Sequence, residues 1–250
     1  MTPDAVTPPA GGPDPVGPDT GAPGPAAPAP GTTDVAGLPR VLLATANAGK
    51  VAELQRILAG AVELVGIDGR YEPGPETGQT FTDNALAKAR EAVEQTGLPA
   101  VADDSGLAVD ALNGMPGVLS ARWAGRHGDD RANLELLLGQ LADVPDGRRG
   151  AAFVCAAAYA LPDGRAQAVL GELRGTLVRA PRGTGGFGYD PLLVPLGLQV
   201  TTAELSPEGK DAISHRGQAF RSLAPLLLAA LAGRPVPETG STAPRRRLAR

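Results

Sequence analysis

Apolar residues recur along this chain with two periods, and the alternation between them lays out its elements. Val41, Leu42, Leu43 and Ala44 form an unbroken apolar run, after which Val51, Leu54, Ile57 and Leu58 recur at helical spacing up to Gly60. That order predicts a buried strand, a polar loop and an amphipathic helix. Residues 62–65 predict a second strand, and the polar, Pro-containing residues 68–79 a loop. Thr80 is placed to cap a helix from Phe81 to about residue 95, with Ala85, Ala89 and Ala92 on its buried side, Asn84, Lys88 and Arg90 on its polar face, and Gly97 at its end. Val101 and Ala102 read as the end of a buried strand, with Gly106 turning the chain sharply into another over 107–112. Leu134, Leu137, Leu138 and Leu141 predict a structural helix over 129–141. Residues 151–160 and 166–177 are β-prone and flank Pro162-Asp163-Gly164, the pattern of an antiparallel hairpin, which argues against an all-parallel sheet. A last helix starts near residue 208 with Phe220, Leu223 and Leu227 on its apolar face, and Pro225 is expected to kink or interrupt it.

Composition sets the limits of the folded part. The chain holds 34 Gly and 25 Pro, too many for one uniformly compact domain, and 11 of the prolines lie before residue 40 in Pro-Ala-Gly repeats without an aromatic residue. Such a stretch cannot bury enough apolar surface to offset its ordering entropy, so residues 1–39 are expected to be a disordered extension. Residues 233–250, with three prolines ahead of Arg245-Arg246-Arg247, are expected to be a disordered basic tail. The roughly 190 residues between them, 40–232, suit one domain. No secretory leader or membrane span is legible, which points to the cytoplasm. The single Cys155 excludes an internal disulfide framework, and its apolar neighbours mark it as a core residue. A net charge of −4 argues against nonspecific nucleic-acid binding, so an anionic ligand needs a local cluster of cations. Only Lys50, Lys88 and Lys210 are lysines, against twenty arginines. A lysine kept under that bias suits a place needing a compact ammonium.

Four stretches carry candidate chemistry. Asp103-Asp104-Ser105 puts two carboxylates and a hydroxyl side by side, and adjacent residues on extended backbone face opposite ways. One Asp can therefore ligate a metal or activate water while its neighbour braces the turn. Thr45-Ala46-Asn47-Ala48-Gly49-Lys50, between strand and helix, offers backbone N–H groups and side-chain donors to a polyphosphate. It is not a Walker loop, which would need Gly at 44 and Ser or Thr at 51. Glycines around Phe187 in 183–191 leave an aromatic face for a planar group, with Asp190 able to accept hydrogen bonds from its edge. Lys210 and Ser214-His215-Arg216 gather donors at a helix start, and Glu72 and Glu76 supply further carboxylates in the 68–79 loop.

These motifs, in this order, resemble the inosine/xanthosine triphosphate pyrophosphatase family over roughly residues 41–231. The resemblance implies an elongated α/β fold with a mixed sheet flanked by helices, two lobes with the site in the cleft between them, a homodimer, and Mg²⁺-dependent hydrolysis of XTP, ITP and dITP to monophosphate and pyrophosphate. Carried over, it makes Thr45, Ala46, Asn47, Ala48, Gly49 and Lys50 the phosphate loop, Glu76 and Asp104 the metal carboxylates, and Asp104 the proton acceptor. Ser105 becomes a substrate contact, with Phe187, Gly188, Tyr189, Asp190, Lys210, His215 and Arg216 around the base. Ala46 departs from the family's usual Gly, and its methyl restricts the backbone there. Three other readings stay open: a related pyrophosphatase for other modified nucleotides, a non-catalytic nucleotide-binding module, and a serine hydrolase using Ser105, His215 and an Asp, which lacks a Gly-x-Ser-x-Gly elbow.

Overall fold

The computed structural model describes residues 37–236 except Ala46, Asn47, Ala59, Asp68 and Arg70, all within one compact unit. The two expected tails, apart from Gly37–Pro39 and residues 233–236, lie outside the described residues. Val236 still packs against the core. The elements are β1 (Arg40–Leu43), α1 (Ala48–Ile57), β2 (Glu63–Val65), α2 (Phe81–Thr96), β3 (Ala100–Val109), α3 (Asp130–Gln140), β4 (Gly150–Ala160), β5 (Ala166–Leu177), β6 (Leu193–Pro195), α4 (Pro207–Ile213) and α5 (His215–Leu231). Their strands form one mixed sheet in the order β2-β1-β3-β4-β5-β6. β1 runs parallel to β2 and β3, while β3 to β6 pair antiparallel. The predicted α/β class and the β4–β5 hairpin are both present.

Strand periodicity divides the core between the two faces. Val41, Leu43, Val101, Cys155 and Tyr159 meet α1 and α5 on one side. Leu42, Ala100, Ala102, Ala156 and Ala158 meet the alanine stripe of α2 on the other. Small residues on both partners let α2 lie close to the sheet. Thr80 caps α2 as its sequence requires: its Oγ1 accepts from Asp83 N at 3.1 Å and the Asp83 carboxylate accepts from Thr80 N at 3.0 Å. Gly97 closes the helix with φ +70°, a conformation that costs a side chain strain.

Three expectations are corrected. β3 does not break at Gly106; it pairs with β4 without interruption from Ala100 to Val109. Gly106 is required by a close approach, since a Cβ there would collide with Ser120 Oγ and Gly117 O on the neighbouring 3₁₀ segment Gly117–Arg122. Of the two effects expected of Pro225, the interruption does not occur, since α5 is continuous from His215 to Leu231. Pro225 sits on the exposed face, where the carbonyl it leaves unpaired is free to meet water, while buried Phe220 and Leu223 before it and Leu227 and Ala230 after it hold the helix to the core. The helix expected from residue 208 is instead two helices, α4 and α5. Ser214 separates them in extended conformation and caps α5 by accepting from Gly217 N at 2.9 Å.

Candidate active site

Because β3 runs straight through the motif, Asp103 and Asp104 face opposite sides of the sheet. Asp103 points with Val101 toward α1 and α5, 1% exposed, and its Oδ2 accepts from Lys50 Nζ at 2.9 Å, Arg216 Nε at 3.3 Å and Ser105 Oγ at 2.9 Å. Burial alone would raise its pKa, but Lys50, Arg216 and Lys88 outweigh it and hold the carboxyl well below the usual range. It is a permanent anion that braces two cations.

Asp104 points toward α2. Its Oδ2 accepts from Asn84 Nδ2 at 2.8 Å and its Oδ1 from Ser105 N at 2.9 Å. A carboxylate offers about four acceptor positions, so roughly two remain for water or a ligand. Burial, reinforced by the Glu76 charge and opposed by Lys88 and Asn84, raises its pKa. That is the direction a proton acceptor needs.

Glu76 reaches the same place from the 71–78 segment, which α2 holds in place: Gly78 N donates to Asn84 Oδ1 at 2.7 Å and Gly74 N to Glu91 Oε2 at 3.2 Å. Arg122 Nη2 adds a bond to the Glu76 carbonyl at 3.1 Å. The Glu76 carboxylate accepts from Lys88 Nζ at 2.7 Å. Its burial is outweighed by Lys88, Lys50 and Arg122, which lower its pKa. Asn84 and Lys88, four residues apart on one side of α2, therefore face the site and not the solvent; of the three expected polar-face residues only Arg90 is exposed.

At the other end, two cations lie over the Phe187 ring, Lys210 Nζ 5.0 Å and Arg216 Cζ 5.6 Å from its centroid. Its expected open face is thus partly covered. Asp190 is 3% exposed and holds the loop: it accepts from Phe187 N at 2.9 Å, Thr202 Oγ1 at 2.8 Å and Lys210 Nζ. Tyr189 is buried and donates its hydroxyl to Ser120 O at 2.9 Å, so it anchors the loop and offers no stacking face. Gly188 N donates to Asp130 Oδ2 at 2.7 Å, which gives the α3 start a place at the site. His215 stacks on Phe153 at 5.0 Å and 21°. Burial, with Arg216 and Lys210 nearby, keeps its pKa well below the ordinary value, and its buried Nδ1 has no partner. Arg216, 2% exposed, donates to Asp103, to Glu53 Oε2 and, at 2.7 Å, to Ser105 Oγ. Three of its five N–H groups are so committed.

These groups line one cleft of about 520 Å³, which holds Thr45, Lys50, Glu76, Lys88, Asp104 and Ser105 together with Phe187, Gly188, Tyr189, Asp190, Lys210, His215 and Arg216. Among the expected site residues, Ala46 and Asn47 lie outside the described residues, and the effect of the Ala46 methyl with them. Ala48 and Gly49 form the first turn of α1, so the helix starts inside the expected loop. Glu72 is exposed and does not join the cleft lining. Among the described residues no group of three or more His, Cys, Asp or Glu side chains is suited to a metal. Two carboxylates fit a hard divalent cation that takes its other ligands from phosphate and water, and such a cation would share Glu76 with the Lys88 ammonium that pairs with it.

The sequence pattern of the Ham1 family matches residues 41–226. A dITP/XTP pyrophosphatase from Streptomyces coelicolor is 62% identical over 196 residues, covering 76% of this chain and 98% of that protein. One from Mycobacterium tuberculosis is 57% identical over 200 residues, covering 77% and 97%. Among solved structures, the nucleoside-triphosphatase, dITP/XTP pyrophosphatase, of Mycobacterium abscessus is 60% identical with a TM-score of 0.63, covering 74% of this chain and 99% of that one. A HAM1 protein from Coxiella burnetii is 42% identical with a TM-score of 0.68, covering 75% and 98%.

Proposed function

The chain belongs to the Ham1 family, and from that premise we propose that it hydrolyses the non-canonical purine nucleoside triphosphates XTP, ITP and dITP to monophosphate and pyrophosphate. Such an activity removes them from the nucleotide pool before they enter DNA or RNA. The observation that carries this reading is one cleft with two kinds of end: a carboxylate corner between ammonium groups, and the Phe187 ring beside two cations with the His215 imidazole in the same lining.

The phosphate end takes the charge. Lys50, Lys88 and the backbone around α1's first turn receive the triphosphate. Glu76 and Asp104 are the residues that would hold Mg²⁺. When bound there, the ion supplies charge neutralisation on the phosphate oxygens as the bond between the α and β phosphates breaks. Asp104 accepts the proton of the water attacking the α-phosphorus, a role its raised pKa and free acceptor positions suit.

At the base end the purine lies against Phe187. Neutral His215, with one ring N–H, and the uncommitted N–H groups of Arg216 favour an oxygen at position 6 over an amino group. A non-catalytic binding module would have no use for a carboxylate of raised pKa aimed into the cleft. A serine hydrolase is disfavoured because Ser105 Oγ donates to Asp103 and accepts from Arg216, leaving His215 no part in activating it. The proposal extends to a homodimer in the cytoplasm; among the described residues no helix is long and apolar enough to cross a membrane.

The test is pyrophosphate release from ITP, XTP, dITP and the four canonical triphosphates, with and without Mg²⁺. Preference for the 6-keto non-canonical purines in the presence of the metal supports the reading. Equal rates on all purines, or a preference for another modified nucleotide, would replace its substrate class.

A further inference from the structure

Glu53 has no role in the reaction described above, yet it is 2% exposed on α1 and both of its oxygens are engaged. Oε1 accepts from Ser214 Oγ at 3.0 Å and Oε2 from Arg216 Nη1. Three residues earlier on the same side of the helix, Lys50 reaches Asp103 Oδ2, which also accepts from Arg216 Nε. The two anions and two cations close a ring from α1 through β3 and α5 back to α1. One arc of that ring belongs to the phosphate end of the cleft, the other to its base end.

A buried ion pair is weak grounds for stability, because the desolvation of both charges offsets their attraction. What it does well is fix geometry. Arg216 is long and flexible, and Glu53 and Asp103 grip its guanidinium from two sides. Ser214, the cap of α5, is held by the same Glu53 carboxylate, and His215 is the next residue.

We infer that Glu53 is a positioning residue: it orients Arg216 and the first turn of α5 against the phosphate helix, and thereby sets how well the site tells one purine from another. The selectivity part of this inference rests on the proposed function; the geometric part does not.

Glu53→Gln keeps the volume and still accepts from Ser214, but removes the charge facing Arg216. With Asp104 untouched, KM for ITP is expected to rise roughly tenfold while kcat stays within about threefold, and the ITP-to-ATP ratio of kcat/KM should fall by a similar factor. In an Arg216→Met background the same substitution should leave the ratio where it is, since Gln still accepts from Ser214 and no guanidinium remains to orient; the ratio and not stability is the readout there, because Arg216→Met also leaves Glu53 and Asp103 as buried unpaired charges. The chain has two histidines, so the His215 imidazole signal can be followed by NMR without nucleotide, and it should shift in Glu53→Gln. If Glu53→Gln fails to fold, Glu53→Asp, which keeps the charge but withdraws it by one methylene, should show the same changes more weakly. A selective wild type with an equally selective variant overturns the role of Glu53, as does an unmoved His215 signal. A wild type that does not discriminate ITP from ATP overturns the substrate reading instead, and the NMR shift then still decides the geometric part.

Discussion

At the scale of single residues, the site works by giving like groups unlike surroundings. Asp103 and Asp104 are chemically identical neighbours, but the strand turns one toward Lys50 and Arg216 and the other toward Asn84 and Glu76. Asp104 should therefore be needed for turnover and dispensable for stability. Asp104→Asn is expected to cut the rate of pyrophosphate release by more than ~10²-fold. Its melting temperature at neutral pH should not fall, because a carboxyl whose pKa is raised is less at ease ionised in the folded state than in the unfolded chain. A variant that hydrolyses normally would move the proton acceptor elsewhere. Phe187→Ala should weaken purine triphosphate binding by about 1–3 kcal/mol with little change in selectivity, since every purine has a π face. Measured Kd values for ITP and ATP that diverge in this variant would give Phe187 a part in discrimination. Arg216 cannot be probed so simply. Truncating it strands Asp103 and Glu53 as buried charges, so any loss mixes recognition with repair of the core.

At the scale of elements, glycines decide how close the site's supports can come. Gly171 on β5 lies under the start of α5, where a Cβ would collide with His215 O and Ala219 N. Gly171→Ala should destabilise by about 1–3 kcal/mol, the range for overpacking, and lower activity because the turn that must move carries His215 and Arg216. Gly139 in α3 is the matched control: nothing lies within 4 Å of its Cβ position, and Gly139→Ala should be neutral or stabilising by about 0.4–1 kcal/mol. Thermal melts of both variants beside their rates on ITP would separate the cases; equal melting temperatures would mean that α5 yields freely. Helix ends and hairpins were legible in the sequence because their signals are local, as Thr80, Asp83 and Gly97 show for α2. The role of Gly106 was not: a turn and a close approach both call for glycine, and only the position of Ser120 tells them apart.

At the scale of the whole molecule, the site's electrostatics bias stability toward neutral pH. His215 has a folded pKa well below its ordinary value, first because it is buried and then because Arg216 and Lys210 stand near. Its contribution is fully present above the unfolded pKa of about 6.5 and is lost as pH falls below it, because the unfolded chain takes up the proton first. Asp103, whose folded pKa is also depressed, adds a second loss that begins beneath about 3.9. Asp104, raised by burial, runs the other way and relieves part of it. The melting temperature should thus drop between pH 7 and pH 5, and His215→Gln should flatten that part of the profile. A slope unchanged by the substitution would show that His215 binds its proton in the fold as it does in the unfolded chain.

What the sequence determined by itself was everything encoded at short range: the strand and helix periods, the cap and stop of α2, the β4–β5 hairpin, and the four motifs that converge on one cleft. Residue type and spacing carry that information because each depends on neighbours a few positions away. Tertiary structure alone decided which side each group serves. Asn84 and Lys88 read as polar-face residues until α2 is laid against β3, where Lys88 lines the cleft and Asn84 is buried against Asp104. Glu53 reads as one more helix carboxylate until Arg216, 163 positions away, is folded onto it. The burial that raises the pKa of Asp104 and the cations that lower that of Asp103 come from elements far apart in the chain. Charge acts through space, and the sequence orders residues only along the chain.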